Sequence, residues 1–84
     1  MKINTRDADG VRIIELQGKI TIGAGDTQLR DVIIKSVEEG QKNILLDMGD
    51  VTTLDSSGIG ELVGSYTTVT NRGGKLKLLH LPSK

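Results

Sequence analysis

The side chains whose types could do chemistry, and whose spacing keeps them near one another, are Asp47, Asp50, Asp55, Ser56 and Ser57. The carboxylates, gathered around the end of one apolar run, could be read as a magnesium site for an aspartyl phosphate. Turn and cap roles account for Asp50 and Asp55 without a metal. The serines offer hydroxyls as nucleophiles or as phosphate acceptors. A Ser-His-Asp triad would need His80, the sole histidine, which falls at a polar phase of the last apolar-polar alternation; no G-x-S-x-G elbow is present. Gly58-x-Gly60-x-x-x-Gly64 misses the dinucleotide fingerprint by one residue, and Gly73-Gly74-Lys75 is not a phosphate-binding loop. The chain has no cysteine, which removes disulfides, thiolate chemistry and cysteine-based zinc sites. No acid, base and nucleophile converge, so a non-enzyme without metal or cofactor is expected.

The stretch Thr53-Leu54-Asp55-Ser56-Ser57-Gly58-Ile59-Gly60 stands between an apolar run, Ile44-Leu45-Leu46, and residues at helical spacing: Ile59, Leu62, Val63, Tyr66 and Val69. Asp55, Ser56 and Ser57 are all N-cap types, able to accept from an unpaired amide of the first turn. A helix start gathers free N–H groups and the positive end of the dipole, which suits an anion. A serine there is open to a partner enzyme and could carry a phosphate afterwards. Capping alone would also explain Asp-Ser-Ser-Gly. The glycines go further, because each weakens a helix by roughly 1 kcal/mol. Gly58, Gly60 and Gly64 can be read as a surface kept low for close approach; for Gly60 and Gly64 the alternative is tight packing of the helix on its own sheet.

The elements that must position this stretch follow from the rest of the pattern. Lys2 to Arg6 reads as a first strand, and Asp9-Gly10 as a hairpin turn into Val11–Gly18. Ile20 and Ile22 either extend that second strand or line the loop leaving it. Gly23-Ala24-Gly25 breaks the run, and Asp26 or Thr27 can cap a helix whose inner face is Leu29, Val32, Ile33 and Val37. Glu39-Gly40 stops it. Asn43 to Met48 reads as a buried strand from its continuous apolar character. The second helix ends at Gly73-Gly74, and Lys75 to Leu81 alternates as a last strand stopped by Pro82-Ser83-Lys84. The order β-β-α-β-α-β predicts an α/β domain with a mixed sheet, an N-terminal antiparallel hairpin and helices crossing between parallel strands.

With 84 residues the chain is expected to form one domain, residues 1–84, with a core that must be aliphatic: Tyr66 is the sole aromatic. Acids and bases balance at a net charge of zero and are interspersed, so no footprint for nucleic acid or an anionic membrane is visible. The N-terminus lacks the apolar core of a signal peptide, and no run approaches membrane-spanning length. A soluble cytoplasmic protein is expected.

These residues resemble the STAS domain (sulfate transporter and anti-sigma factor antagonist), and within it the stand-alone bacterial anti-sigma factor antagonists. The resemblance runs through Leu16-x-Gly18, Leu29, Ile44-Leu45-Leu46-Asp47, Val51-x-x-Leu54-Asp55-Ser56-Ser57-Gly58-Ile59-Gly60-x-Leu62 and Gly73-Gly74-x-Leu76-x-Leu78. It implies that Ser56, directly after the motif Asp55, is the phosphoacceptor. It further implies a partner surface formed by Asp55, Ser57, Gly58, Ile59, Gly60, Glu61 and Gly64. The implied partner is an anti-sigma factor of the histidine-kinase-like ATPase type, which phosphorylates the antagonist from ATP, and a separate phosphatase resets it. Accessory subunits of lipid-transport ATPase complexes, stress-signalling assemblies and transporter tails share the fold. The family usually continues with another helix after the strand near Leu81, so a short C-terminus and self-association, as a homodimer or with exchanged elements, are expected.

Overall fold

The computed structural model describes residues 1–81. Its elements are β1 (Lys2–Ala8), β2 (Val11–Ile20), α1 (Asp26–Glu38), β3 (Asn43–Leu54), α2 (Ser56–Asn71) and β4 (Lys75–Leu79). The four strands lie in the order β1-β2-β3-β4. β1 and β2 are antiparallel, joined at Asp9 and Gly10, whose φ of 53° and 79° are what a two-residue hairpin turn requires. β2, β3 and β4 are mutually parallel. This is the mixed sheet and β-β-α-β-α-β order that the pattern predicts.

Each helix is a crossover between neighbouring parallel strands, and the strands are added always in the same direction. Right-handed crossovers therefore place both helices on one face of the sheet. Arg30 of α1 and Glu61 of α2 pair across the seam between them. Under the helices lies an aliphatic core of Ile14, Leu16 and Ile20 from β2, Leu29, Ile33 and Val37 from α1, Ile44, Leu46, Met48 and Val51 from β3, and Leu62 and Val69 from α2. At the far end of α1, Arg12 reaches up from β2 to Asp7, Glu39 and the hydroxyl of the buried Ser36. Ser36 in turn donates to the Val32 carbonyl at 2.8 Å, so this polar group is buried with its bonds made.

Several boundaries differ from those expected. β3 runs six residues past Met48, because Asp50 to Leu54 pair with Gln17 to Ile20 through register shifts beside Gln17 and Gly18. The strand is buried on alternate residues, not throughout: Ile44, Leu46 and Met48 face the helices, while Leu45 and Asp47 point to the other side. The continuous apolar run concealed a period of two. Ile20 belongs to β2 and is fully buried, whereas Ile22 lies in the loop. β4 stops at Leu79 instead of Leu81, as His80 turns into the left-handed region at φ 58°. The stop expected at Pro82-Ser83-Lys84 lies outside the described residues. Neither Asp26 nor Thr27 caps α1; Gly25 does, at φ 89°, without a side-chain bond.

Candidate functional site at the start of α2

β3 delivers the chain to the sheet's C-terminal end at Leu54, and a single extended residue, Asp55, separates it from α2. The loop expected around the motif is reduced to that residue. Because Asp55 is extended (φ −103°, ψ −173°), its side chain turns forward over the first turn of the helix. Its Oδ1 accepts the Gly58 N–H at 2.9 Å. Its Oδ2 accepts the N–H of Ile22, 33 residues away in sequence, at 3.2 Å. Its carbonyl accepts the Ile59 N–H at 2.9 Å. The amides of Gly58 and then Ile22 hold the Asp55 carboxyl below the usual carboxylate range.

Ser56 is the first helical residue and exposed, and among the described residues no partner holds its hydroxyl. Ser57 beside it is half-buried. Gly58 is buried against β2. A Cβ there would collide with the Ile20 carbonyl oxygen and lie 2.6 Å from Leu54 Cδ1. Gly60 and Gly64 are the opposite case, with open space where a Cβ would point. The low outer surface expected of all three therefore fails at Gly58, which is packed inside because β2 lies against it, while the alternative of packing on the sheet fails at Gly60 and Gly64, which are exposed.

The apolar positions of α2 divide in the same way. Leu62 and Val69 enter the core with Gly58 and Ser65. Ile59, Val63 and Tyr66, which helical spacing groups with them, remain 52%, 61% and 53% exposed. Their spacing of four and three residues makes one stripe on the outer face. Ile22, 75% exposed at the tip of the turn between β2 and α1, is bonded through its backbone to Asp55 and so stands at the head of α2. The turn is closed by Thr21 and Ala24, each amide donating to the other's carbonyl at 2.7 and 2.9 Å. Sequence reasoning missed Ile22; the available signal was an isoleucine in a glycine-flanked turn too short to bury it.

Other candidates are placed elsewhere. Glu61 faces α1 and pairs with Arg30. Asp47 accepts from Gly49 N at 2.9 Å and lies 3.1 Å from His80 Nδ1, and these bonds, the Gly49 amide first, lower its carboxyl. Asp50 accepts from Gln17 at 3.4 Å. Asp47, Asp50 and Asp55 thus serve separate partners, and among the described residues no three acidic or histidine side chains come together as ligands. No helix of the described residues is long and apolar enough to cross a membrane.

Comparison with known proteins bears on this geometry. The model of the STAS domain family matches residues 2–84. The anti-sigma-B factor antagonist of Bacillus subtilis (strain 168) is 30% identical over 71 residues, which are 84% of this chain and 63% of that protein. This chain therefore spans less than two thirds of that relative's length. Among solved structures, the unphosphorylated anti-sigma factor antagonist SpoIIAA superposes with a TM-score of 0.77 at 24% identity, over 99% of this chain and 76% of that one. The phosphorylated form of the Bacillus cell fate determinant SpoIIAA gives 0.72 at 23%, over 98% and 74%. At these identities the solved structures speak for the fold.

Proposed function

The chain belongs to the STAS domain family, and on that premise we propose that it is an anti-sigma factor antagonist whose partner binding is switched at Ser56. The observation that carries this reading is the exposed, unbonded hydroxyl of Ser56 on the first turn of α2, at the head of an outward apolar stripe. Ser56, Ile59, Gly60 and Val63 are spaced i, i+3, i+4 and i+7 and share one helix face. A protein that docks on Ile59, Val63, Tyr66 and Ile22 meets Ser56 at the same time. Gly60 keeps the surface beside Ser56 low, and Gly64 lies on the α1 side of the helix with Glu61. Glu61, tied to Arg30, borders it on the α1 side.

In this reading the partner is an anti-sigma factor of the histidine-kinase-like ATPase type, bound while Ser56 is free. Its kinase activity transfers the γ-phosphoryl group of ATP to Ser56: an O–P bond forms at Oγ, the bond to ADP breaks, and the hydroxyl proton passes to a base of the partner. The phosphoserine adds nearly two negative charges and bulk to an apolar interface, which weakens docking. A phosphatase resets the switch by hydrolysis, water replacing Oγ on phosphorus. The protein is the regulator and substrate in this cycle, not its catalyst.

The test is an intact mass with site mapping after incubation with ATP and the candidate anti-sigma kinases of the source organism. One phosphoryl group on Ser56, lost in Ser56→Ala, is expected. Ser56→Asp should weaken partner binding with almost no change in stability; equal losses of both would refute the switch. Stable binding to a transporter component without phosphorylation would favour the accessory-subunit role instead.

A further inference from the structure

We infer that the face of the sheet turned away from the helices docks an amphipathic helix of a partner protein, apolar beneath and acidic along both flanks. The inference is independent of Ser56, which lies on the other side of the sheet.

The strand registers lay this face out residue by residue. Arg6, Ile13, Leu45 and Lys77 form one row across β1 to β4, and Asn4, Glu15, Asp47 and Leu79 form the row two residues on. Two residues back, Val11 pairs with Ala8 and Asn43 with Lys75. Val11, Ile13 and Leu45 thus adjoin on the two central strands, half-buried although no helix lies over them. Cations flank them on both sides: Arg6 on β1, Lys75 and Lys77 on β4. All three are exposed, and none enters an ion pair among the described residues. Val11, Asn43, Leu45, Lys75 and Lys77 line a cleft of about 360 Å³. The width selects the occupant. β1 and β4 are three strand spacings apart, about 14 Å, and a helix with its side chains is about 10–12 Å across. Laid along β2 and β3, a helix rests its apolar stripe on Val11, Ile13 and Leu45, and acids on its flanks reach Arg6 on one side and the two lysines on the other. Glu15 and Asp47 suit its amino end. A second copy packed about the Ile13–Leu45 row would set these cations against one another. A nucleic-acid backbone would run into Glu15 and Asp47 and find no aromatic to stack on, because Tyr66 lies on α2.

The test uses a synthetic helical peptide with leucines at i, i+3, i+4 and i+7 and glutamates on both flanks, titrated into the chain and followed in amide proton and nitrogen spectra. Val11, Ile13, Leu45, Lys75 and Lys77 should move together while the amides of α1 and α2 keep their positions. Lys75→Glu combined with Lys77→Glu should weaken binding about tenfold or more, and the same peptide with lysine flanks should bind that reversed chain. If the double reversal does not fold, Lys77→Gln makes the comparison: weaker binding supports the inference and unchanged affinity overturns it. A spectrum indifferent to peptide at concentrations on the order of 1 mM, shifts confined to α2, or binding indifferent to flank charge would also overturn it. Shifts at Ile13 and Leu45 that grow with protein concentration alone would give the face to a second copy, and a stronger response to a single-stranded oligonucleotide would give it to nucleic acid; either result overturns the inference.

Discussion

The two helices begin at the same end of the sheet with residues that look alike, Gly25-Asp26-Thr27 and Asp55-Ser56-Ser57, yet they are built in opposite ways. At α1 the chain enters through Gly25 in the left-handed region, and no side chain caps the helix. Asp26 turns back to its own turn, accepting from Thr27 N at 2.8 Å and Gly23 N at 3.4 Å. At α2 the entry is extended, which leaves the Asp55 side chain free to reach forward to Gly58 and sideways to Ile22. The cause lies in β2. Its last carbonyls, Lys19 and Ile20, lie against Gly25 and Gly58 respectively, so that a Cβ at either glycine would strike one of them. Both helices are seated on the same strand end. One uses a glycine as its cap, whereas the other places its glycine at the third helical residue and keeps an acid at the cap. The second arrangement alone frees a carboxylate to join two loops.

Substitutions can break this comparison. Gly25→Ala should be the most damaging, because it combines the clash with Lys19 and a left-handed φ; roughly 3 kcal/mol of stability is expected to be lost in urea titration. Gly58→Ala carries the clash with Ile20 and Leu54 but no backbone strain, and should cost about 2 kcal/mol. Equal losses would mean that the φ of Gly25 contributes nothing. Asp55→Ala should lower the melting temperature by a few degrees near neutral pH through loss of the cap. The folded carboxyl lies below its ordinary 3.8, so the stability it supplies is present above that value and lost as pH falls through the lowered one. The gap between the unaltered chain and Asp55→Ala should accordingly close in acid. Gly60→Ala is the smallest effect and opposite in sign: with open space around it, alanine should stabilise α2 by about 0.5–1 kcal/mol while weakening partner docking.

The element order and a helix start within Asp55-Ser56-Ser57 were legible in the sequence, since hairpin, strand and helix-start signals are local. Asp9-Gly10 announces its own turn, whereas three adjacent cap types left open which of them caps α2, and the structure selects Asp55. What escaped is what depends on residues far apart in the chain. Whether Asp26 or Gly25 starts α1 is decided by the Lys19 carbonyl, which no local pattern contains. The length of β3 depends on the irregular pairing beside Gly18, and the short apolar run Asn43–Met48 gave no hint of it. Ile59, Val63 and Tyr66 fit the same helical period as Leu62 and Val69, so periodicity could not tell an outward stripe from a core one. That distinction follows from which side of α2 meets the sheet, the side on which Gly58 lies against Ile20. The Ile22 to Asp55 bond spans 33 residues, and only the folded backbone reveals it.

Spatial order in the sheet repeats the order of synthesis, β1-β2-β3-β4. Each strand that leaves a ribosome finds its neighbour already made, and none has to wait for a later segment or be inserted between earlier ones. Loop closures stay short, and the hairpin can form before either crossover is complete. β4 arrives last and pairs with β3 alone. The start of α2 rests on β2 and β3, through Gly58 against Ile20 and Leu54 and Asp55 bonded to Ile22. The surroundings of Ser56 therefore draw nothing from the final strand.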